Sequence, residues 1–440
     1  MRNGRVSVEA FLLFEFACQL ALAFTTLSTA RLVVRIAAFA ASLAMLAGTR
    51  RTRRAHPAQG PALWVILIVV LSILNPSTNG WLAGTAQASL YIAILGPLFW
   101  VPRLRVDVAT LRRAMFIVWT FQTVSAAAGV LQFYFPGHLQ PNLSSAVASV
   151  GADYVKSLHL AAPDGRWVIR PMGLSDVPGG AAIAGFYAVL FGIGFFVNRQ
   201  SWWIRLASAA SVSLGICCIY LSQIRSVLVV LVVSVIVFGG VLARRGRRMH
   251  AIALCAVLIG LVVGGFHYAV SVGGTDIISR VTAITDHPGD IYLQERGHFL
   301  VETIQDTLPT YPLGAGLGRW GMVNHYFGDN TRSENAPLWV EIQWTGWILD
   351  GGLPLVLAYV IALAVTVWTT LKIASRNDRD GLWLWAAMLF GYDIGAIANT
   401  FAYPVFIGQS GLEFWLFNAL LYSASNEQGR RLDSIRRRRL

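Results

Sequence analysis

Between Arg205 and Arg244 the chain runs for 38 residues in which Arg225 is the only Asp, Glu, Lys or Arg. Split at that arginine, residues 206–224 and 226–243 give stretches of 19 and 18 residues without a charge. At a helical rise of about 1.5 Å per residue, each is about one bilayer core thick. In hydrocarbon a lone segment must satisfy its own backbone hydrogen bonds, so these stretches are expected to be helices. Arg225 then caps a tight hairpin between two spans. Two roles are open to it: a side chain that snorkels from a helix end into the interface, or an anion ligand facing a cavity.

The pattern recurs along the chain. Apolar runs bounded by charge, Pro or Gly lie near 8–28, 32–48, 61–75, 81–101, 114–135, 177–197, 206–223, 227–243, 250–270, 352–371, 382–400 and 403–423. With 55% hydrophobic and only 13% charged residues, there is too little polar side chain to cover a soluble fold of 440 residues. The expectation is an all-α, polytopic membrane bundle of about twelve transmembrane helices in a single membrane domain. Cys18, Cys217, Cys218 and Cys255 all fall inside these runs and read as small apolar fillers, with no disulfide or metal site. The first run contains Glu9 and Glu15 and lacks a small-residue cleavage site, so it is expected to remain as a helix rather than be removed as a leader.

Charge supplies the orientation. If both termini are cytoplasmic, the loops and tails on that side, including a basic tail over 424–440, hold 25 of the 35 Lys and Arg residues. The net charge of +13 is then mostly topology and attraction to anionic lipid, and nucleic acid is excluded as a partner. The ten remaining basic residues fall at the opposite face: Arg31, Arg35, Lys156, Arg166, Arg170, Arg225, Arg280, Arg296, Arg319 and Arg332. Seven of them lie in two long external segments, 136–176 and 271–335, and loops of that length in a compact bundle usually carry function.

The second segment, extended to 351 by an interfacial stretch, has three parts. "DIYLQERGHFLVETIQDTL" spaces Leu293, Phe299, Leu300, Ile304 and Leu308 for one helical face, ended by Pro309. "YPLGAGLGRWG" follows with four glycines in eight residues, a turn that lets backbone approach another surface closely. It lacks the preceding strand that a nucleotide-binding fingerprint requires. Finally, "SENAPLWVEIQWTGWILDGGLP" is read as an interfacial or re-entrant helix over 337–350, with Trp339, Trp344 and Trp347 at the headgroup layer, feeding a span from Pro354.

Several unpaired arginines at one face imply a highly charged anion, because the guanidinium fork binds phosphate oxygens in pairs and stays ionised. Arg170, Arg225 and Arg296 converge in topology, and Arg319 and the i, i+4 pair Arg31 and Arg35 join them. A chance scatter of loop arginines is the alternative. Most external carboxylates, Asp176 and Asp350 among them, read as solvated. Glu341 stands apart, since partial burial on an aromatic segment would raise its pKa toward that of a useful base, with Glu334 a weaker candidate. His325 lies close to the glycine turn. The only Asp-x-Asp, Asp378 and Asp380, sits among basic residues and reads as a solvated cluster rather than a metal site.

These residues resemble the bacterial O-antigen ligase and polymerase family, the Wzy-type membrane glycan polymerases and their ligase relatives. "RPMGLSDVPGGAAIAGFYAVL" is similar to the family's Arg-x-x-Gly stretch leading into a helix. "LSQIRSVLVVLVV" is similar to its Arg-bearing external turn, and "ERGHFLVETIQDTLPTYPLGAGLGRWG" to its Arg-bearing helix followed by Pro-Leu and alternating glycines. Family ligases commonly carry His-Asn before a helix that ends in an acid and Gly. Here "VEIQWTGWILDGGLP" puts Glu341 at the histidine position, which favours a repeat-unit polymerase.

The resemblance implies a GT-C-like helical fold in the bacterial inner membrane. It also implies an undecaprenyl-diphosphate-linked oligosaccharide donor, a glycan acceptor, and transfer at the periplasmic face with no cofactor, metal or nucleotide sugar. A flippase and a chain-length regulator would be partners. In that scheme Arg225, Arg296 and Glu341 are catalytic, and Arg170, Arg319, Arg31, Arg35 and His325 bind substrate. Ligase-type transfer to lipid A core or protein is the alternative within the family. A proton-coupled transporter or flippase, keyed to Asp393 in "GYDIGAIAN", is the alternative from another class.

Overall fold

The computed structural model describes residues 3–25, 27–49, 55–136, 139–149, 151–161, 167–198, 201–273, 296–329, 331, 336–376 and 381–439. Arg166, Arg280, Arg332, Glu334 and the Asp378 and Asp380 pair lie outside the described residues, as does the start of the helix expected from Asp290.

The apolar runs fall largely in helices, although 81–101 is broken at Gly96 and 403–408 precede the last helix. In chain order the helices include α1 (Asn3–Phe24), α2 (Ser28–Gly48), α3 (Gln59–Ser72), α4 (Gly80–Leu95), α5 (Pro97–Trp100), α6 (Val108–Tyr134), α7 (Ser145–Ala148) and α8 (Ala152–Ser157). A two-stranded antiparallel hairpin, β1 (His159–Ala161) and β2 (Trp167–Ile169), pairs His159 with Ile169. Then follow α9 (Gly180–Val197), α10 (Trp202–Ser222), α11 (Arg225–Arg244), α12 (Arg248–Gly273), α13 (His298–Glu302), α14 (Gly321–Phe327), α15 (Gln343–Ala374), α16 (Leu382–Asn399) and α17 (Gln409–Arg439). Among the described residues, α2, α6, α9, α10, α11 and α15 are long and apolar enough to cross a membrane. Gly80–Leu95 and Pro97–Arg103, bent by 42°, make a seventh if taken as one span. The chain is therefore all-α with several membrane-length helices.

Small residues set the closest packing, as expected where helices associate without a hydrophobic drive. A Cβ on Gly185 of α9 would lie 2.7 Å from the Gly215 carbonyl of α10, and one on Gly129 of α6 would lie 2.4 Å from the Ala181 methyl. Ala181, Ala182, Ala184 and Gly185 are all buried, so "GGAAIAG" is a packing face.

Of residues 337–350, those from Gln343 onward are helical and form the first part of α15, which kinks at Gly352 (φ 65°) and continues to Ala374. Trp347 is fully buried between Tyr359 and Phe406, whereas Trp339 is half-exposed.

Candidate functional site

The glycine turn is the structural hinge of the site. Gly314, Gly316, Gly318 and Gly321 all adopt positive φ, between 66° and 99°. The turn is clamped between the α3–α4 connection and the kink of α15. Asn79 N–H donates to the Leu317 carbonyl (2.9 Å), and Ala315 N–H to that of Leu349 (2.7 Å). At the kink, the freed Leu353 N–H donates to the Pro312 carbonyl (3.0 Å), so the broken helix leaves that group satisfied. Buried Asp350 locks the assembly. It accepts from Tyr91 Oη (2.7 Å), Gln87 Nε2 (3.1 Å) and Trp320 Nε1 (2.8 Å), and so is not solvated as its sequence position implied.

This clamp fixes Arg319, whose guanidinium is 5% exposed and donates to the carbonyls of Ala315 (3.2 Å) and Ala336 (3.1 Å). Arg319 therefore holds the turn to the strand-like segment before α15 and presents little surface to a ligand. The neighbouring α14 carries His325, which faces Ser145 Oγ (3.3 Å) and Ser149 Oγ (3.1 Å) at α7. Partial burial pushes its imidazole below the ordinary histidine value of 6.5. A depressed histidine contributes stability above pH 6.5, and that contribution is lost as pH falls through the folded-state value. In a histidine NMR titration, His325 should titrate at lower pH than a histidine peptide, and H325A should remove that resonance.

The long segment 136–176 is pinned by α6. Gln132 accepts from the N–H groups of Met172 and Gly173 (both 2.9 Å) and donates to the Gly173 carbonyl (2.7 Å). Gly173 (φ 65°) packs onto Ser125, where a Cβ would meet Oγ at 2.6 Å. The Arg-x-x-Gly spacing thus fixes the backbone just after half-buried Arg170. Beyond it, Asp176 is buried and forms an ion pair with Arg35 of α2. Arg31, one turn earlier on α2, is 3% exposed and donates to the carbonyls of Thr25 (2.7 Å) and Asn142 (2.6 Å). The α10–α11 hairpin, with Arg225 opening α11, reaches the same segment, because Ile224 packs directly on Gly179.

Arg296 and Glu341 form an ion pair, the arginine side chain 40% and the glutamate side chain 19% exposed. Glu341 is thus part-buried as expected, but its charge is already engaged. Two residues before it, Trp339 meets Tyr154 of α8 edge-on (5.7 Å).

Of the predicted residues, Arg35 meets the Arg170–Gly179 stretch through Asp176, Arg225 follows Ile224, which packs on Gly179, and Arg296 pairs with Glu341. Arg31 and Arg319 are framework. Asp176, Tyr154 and Tyr403 were not singled out by sequence reasoning, and an acid three residues before a run of small residues offers no local signal for its partner 141 residues away. Searched against protein-family models and against curated proteins, the chain matches none.

Proposed function

We propose that this protein is a glycan polymerase of the inner membrane, with about twelve spans, both termini cytoplasmic and its site at the periplasmic face. It transfers an oligosaccharide from an undecaprenyl-diphosphate carrier to a sugar hydroxyl of the growing chain. What supports this reading is that α2, through the Arg35–Asp176 pair, and the α10–α11 hairpin that carries Arg225, through Ile224, both pack on the stretch that follows Arg170, in a chain with several membrane-length helices. Departure of a diphosphate builds negative charge at a fixed place, and fixed guanidiniums stabilise that transition state.

Arg170 and Arg225 grip the diphosphate beside Arg35, while Arg296 donates to its outer oxygens. A phosphate oxygen that takes Arg296 displaces Glu341, so the base is released only when donor is bound. The acceptor oxygen attacks the anomeric carbon as the bond to the diphosphate breaks, the leaving pair settling on phosphate and the hydroxyl proton on Glu341. Direct displacement inverts the anomeric centre. His325, its imidazole neutral at pH 7, and the Tyr154, Trp339 and Tyr403 rings line the route for the acceptor glycan.

In a deletion strain, Arg225→Lys keeps the charge and loses the paired fork. It should shorten surface polysaccharide and lower its amount about tenfold, within the range for loss of a charge-assisted bidentate contact. Wild-type chain length in that strain would refute a bidentate role.

A further inference from the structure

The end of α11 opposite Arg225 carries another concentration of positive charge. Arg244, Arg245, Arg247 and Arg248 fall within five residues, at the turn that joins α11 to α12. Hydrogen bonds close this turn. Gly246 takes a positive φ of 76°, its N–H donates to the Ala243 carbonyl (3.0 Å) and the Arg247 N–H to that of Leu242 (3.0 Å), the glycine-terminated ending of a helix. Arg245 ties the turn to the bundle, its Nε (3.1 Å) and Nη2 (2.7 Å) both donating to the Ala374 carbonyl that ends α15. Arg247 stacks instead on Trp383 at the start of α16, its guanidinium 4.9 Å from the ring centre, with that of Arg245 5.4 Å from the same ring.

Like charges held this close repel one another, and an anion among them removes that cost. Among the described residues no carboxylate lies within ion-pair distance of Arg244, Arg247 or Arg248; Asp378 and Asp380 lie outside them. The surroundings say what kind of anion fits. From the turn onward one face of α12 is apolar and uncovered: Met249, Ile252, Ile259 and Val263 are exposed, from 75% at Met249 to 49% at Val263. At helical spacing these four fall within an arc of about 80°. Tryptophans gather at the same end of the helices. Trp202 and Trp203 stack on each other, exposed, at the start of α10, and Lys372, two residues before Ala374, lies over the exposed Trp368 ring (5.2 Å). Tryptophans and snorkelling cations at helix ends mark the headgroup layer of a bilayer.

We propose that the α11–α12 turn and Trp383 form a binding site for the phosphate of an anionic phospholipid, whose acyl chains lie along the apolar face of α12. Arg247 donates to the phosphate oxygens, with Arg244 and Arg248 beside it, while Arg245 holds the turn against α15. Stacking on an indole uses the flat face of a guanidinium, so its N–H edge stays available to phosphate. A free phosphate would answer the arginines and leave the face of α12 bare; a lipid answers both. General attraction of basic loops to anionic membranes depends only on the number of charges near the surface. Here the shared ring makes Arg247 unequal to other arginines. The site lies at the far end of α11 from Arg225 and is independent of the glycan reading.

Native mass spectrometry of the full-length protein in detergent, titrated with phosphatidylglycerol or phosphatidylcholine, counts lipids bound to each chain. The wild type should bind one phosphatidylglycerol about tenfold more tightly than phosphatidylcholine, the scale of a charge-assisted contact. Arg247→Gln should abolish that preference. Arg247→Lys, which keeps the charge and loses the flat stack, should weaken it, and Trp383→Leu should resemble Arg247→Lys. All three keep the bonds of Arg245 to α15, so the turn stays in place. Arg430→Gln removes the same charge from an exposed position on α17 and should leave the preference unchanged. Equal losses in Arg247→Gln and Arg430→Gln would reduce the effect to net charge and overturn the proposal. So would equal uptake of the two lipids, or displacement of phosphatidylglycerol by millimolar inorganic phosphate, which would mark a site for the free anion. Paired chains that Arg247→Gln separates would assign the face to a second copy instead. Polysaccharide plays no part in the readout, so failure of either reading leaves the other standing.

Discussion

Arg296→Ala is expected to lower glycan extension by at least about 100-fold, the scale of losing a donor aimed at developing charge. Glu341→Gln should cost about as much or more, because it removes the base that takes the acceptor proton. The two effects should not add. If Glu341 is released only when donor phosphate occupies Arg296, each residue acts through the other, and the double variant should resemble either single one. Stability should hardly register these changes, since a partly exposed ion pair is worth under about 1 kcal/mol. Initial rates in membrane vesicles supplied with lipid-linked repeat unit, beside melting curves of the purified proteins, separate the two readouts. Full activity in Arg296→Ala, or strictly additive losses, would remove the pair from the chemistry.

Most of the helices were legible in the sequence because hydrophobic length is a one-dimensional property: the apolar runs fall largely in helices, and the turn expected at Arg225 falls between Ser222 and Arg225. What one dimension cannot carry is which polar residue meets which. Arg35 and Asp176 are 141 residues apart, and Arg296 and Glu341 are 45 apart. Asp176 carries no local mark that sets it apart from a solvated acid, and the aromatic neighbours that mark Glu341 do not name its partner. A tryptophan suits the headgroup layer and a protein core equally well, so the packing of Trp347 between Tyr359 and Phe406 could not be read from the sequence. The glycine turn gave a partial signal. Its four glycines announced close backbone approach, but the surfaces approached, the α3–α4 connection and the α15 kink, come from distant parts of the chain.

That turn yields the largest expected loss of folded protein. At Gly316 (φ 89°) an added Cβ would lie 2.4 Å from the backbone of Ser77 and Thr78, and at Gly352 (φ 65°) it would lie 2.1 Å from the Pro312 carbonyl. Both obstacles are backbone, so no rotamer change relieves them. Gly321 has a similar φ of 66° but open space around the position of a Cβ. Gly321→Ala therefore isolates the conformational strain, about 1–2 kcal/mol for a side chain in the left-handed region. Gly316→Ala and Gly352→Ala add a clash that must push the turn away from α15. That movement would strain the Trp320 bond to Asp350 and leave a buried carboxylate one donor short, a further penalty of about 1–3 kcal/mol. The expected order of melting temperatures in detergent is wild type, then Gly321→Ala a few degrees lower, then Gly316→Ala and Gly352→Ala far below, with most of the protein aggregated on extraction. Equal, mild effects at all three positions would mean that the turn is not clamped against α15. Arg319, which holds the turn to Ala336, and His325, which faces Ser145 and Ser149, would then have no fixed place.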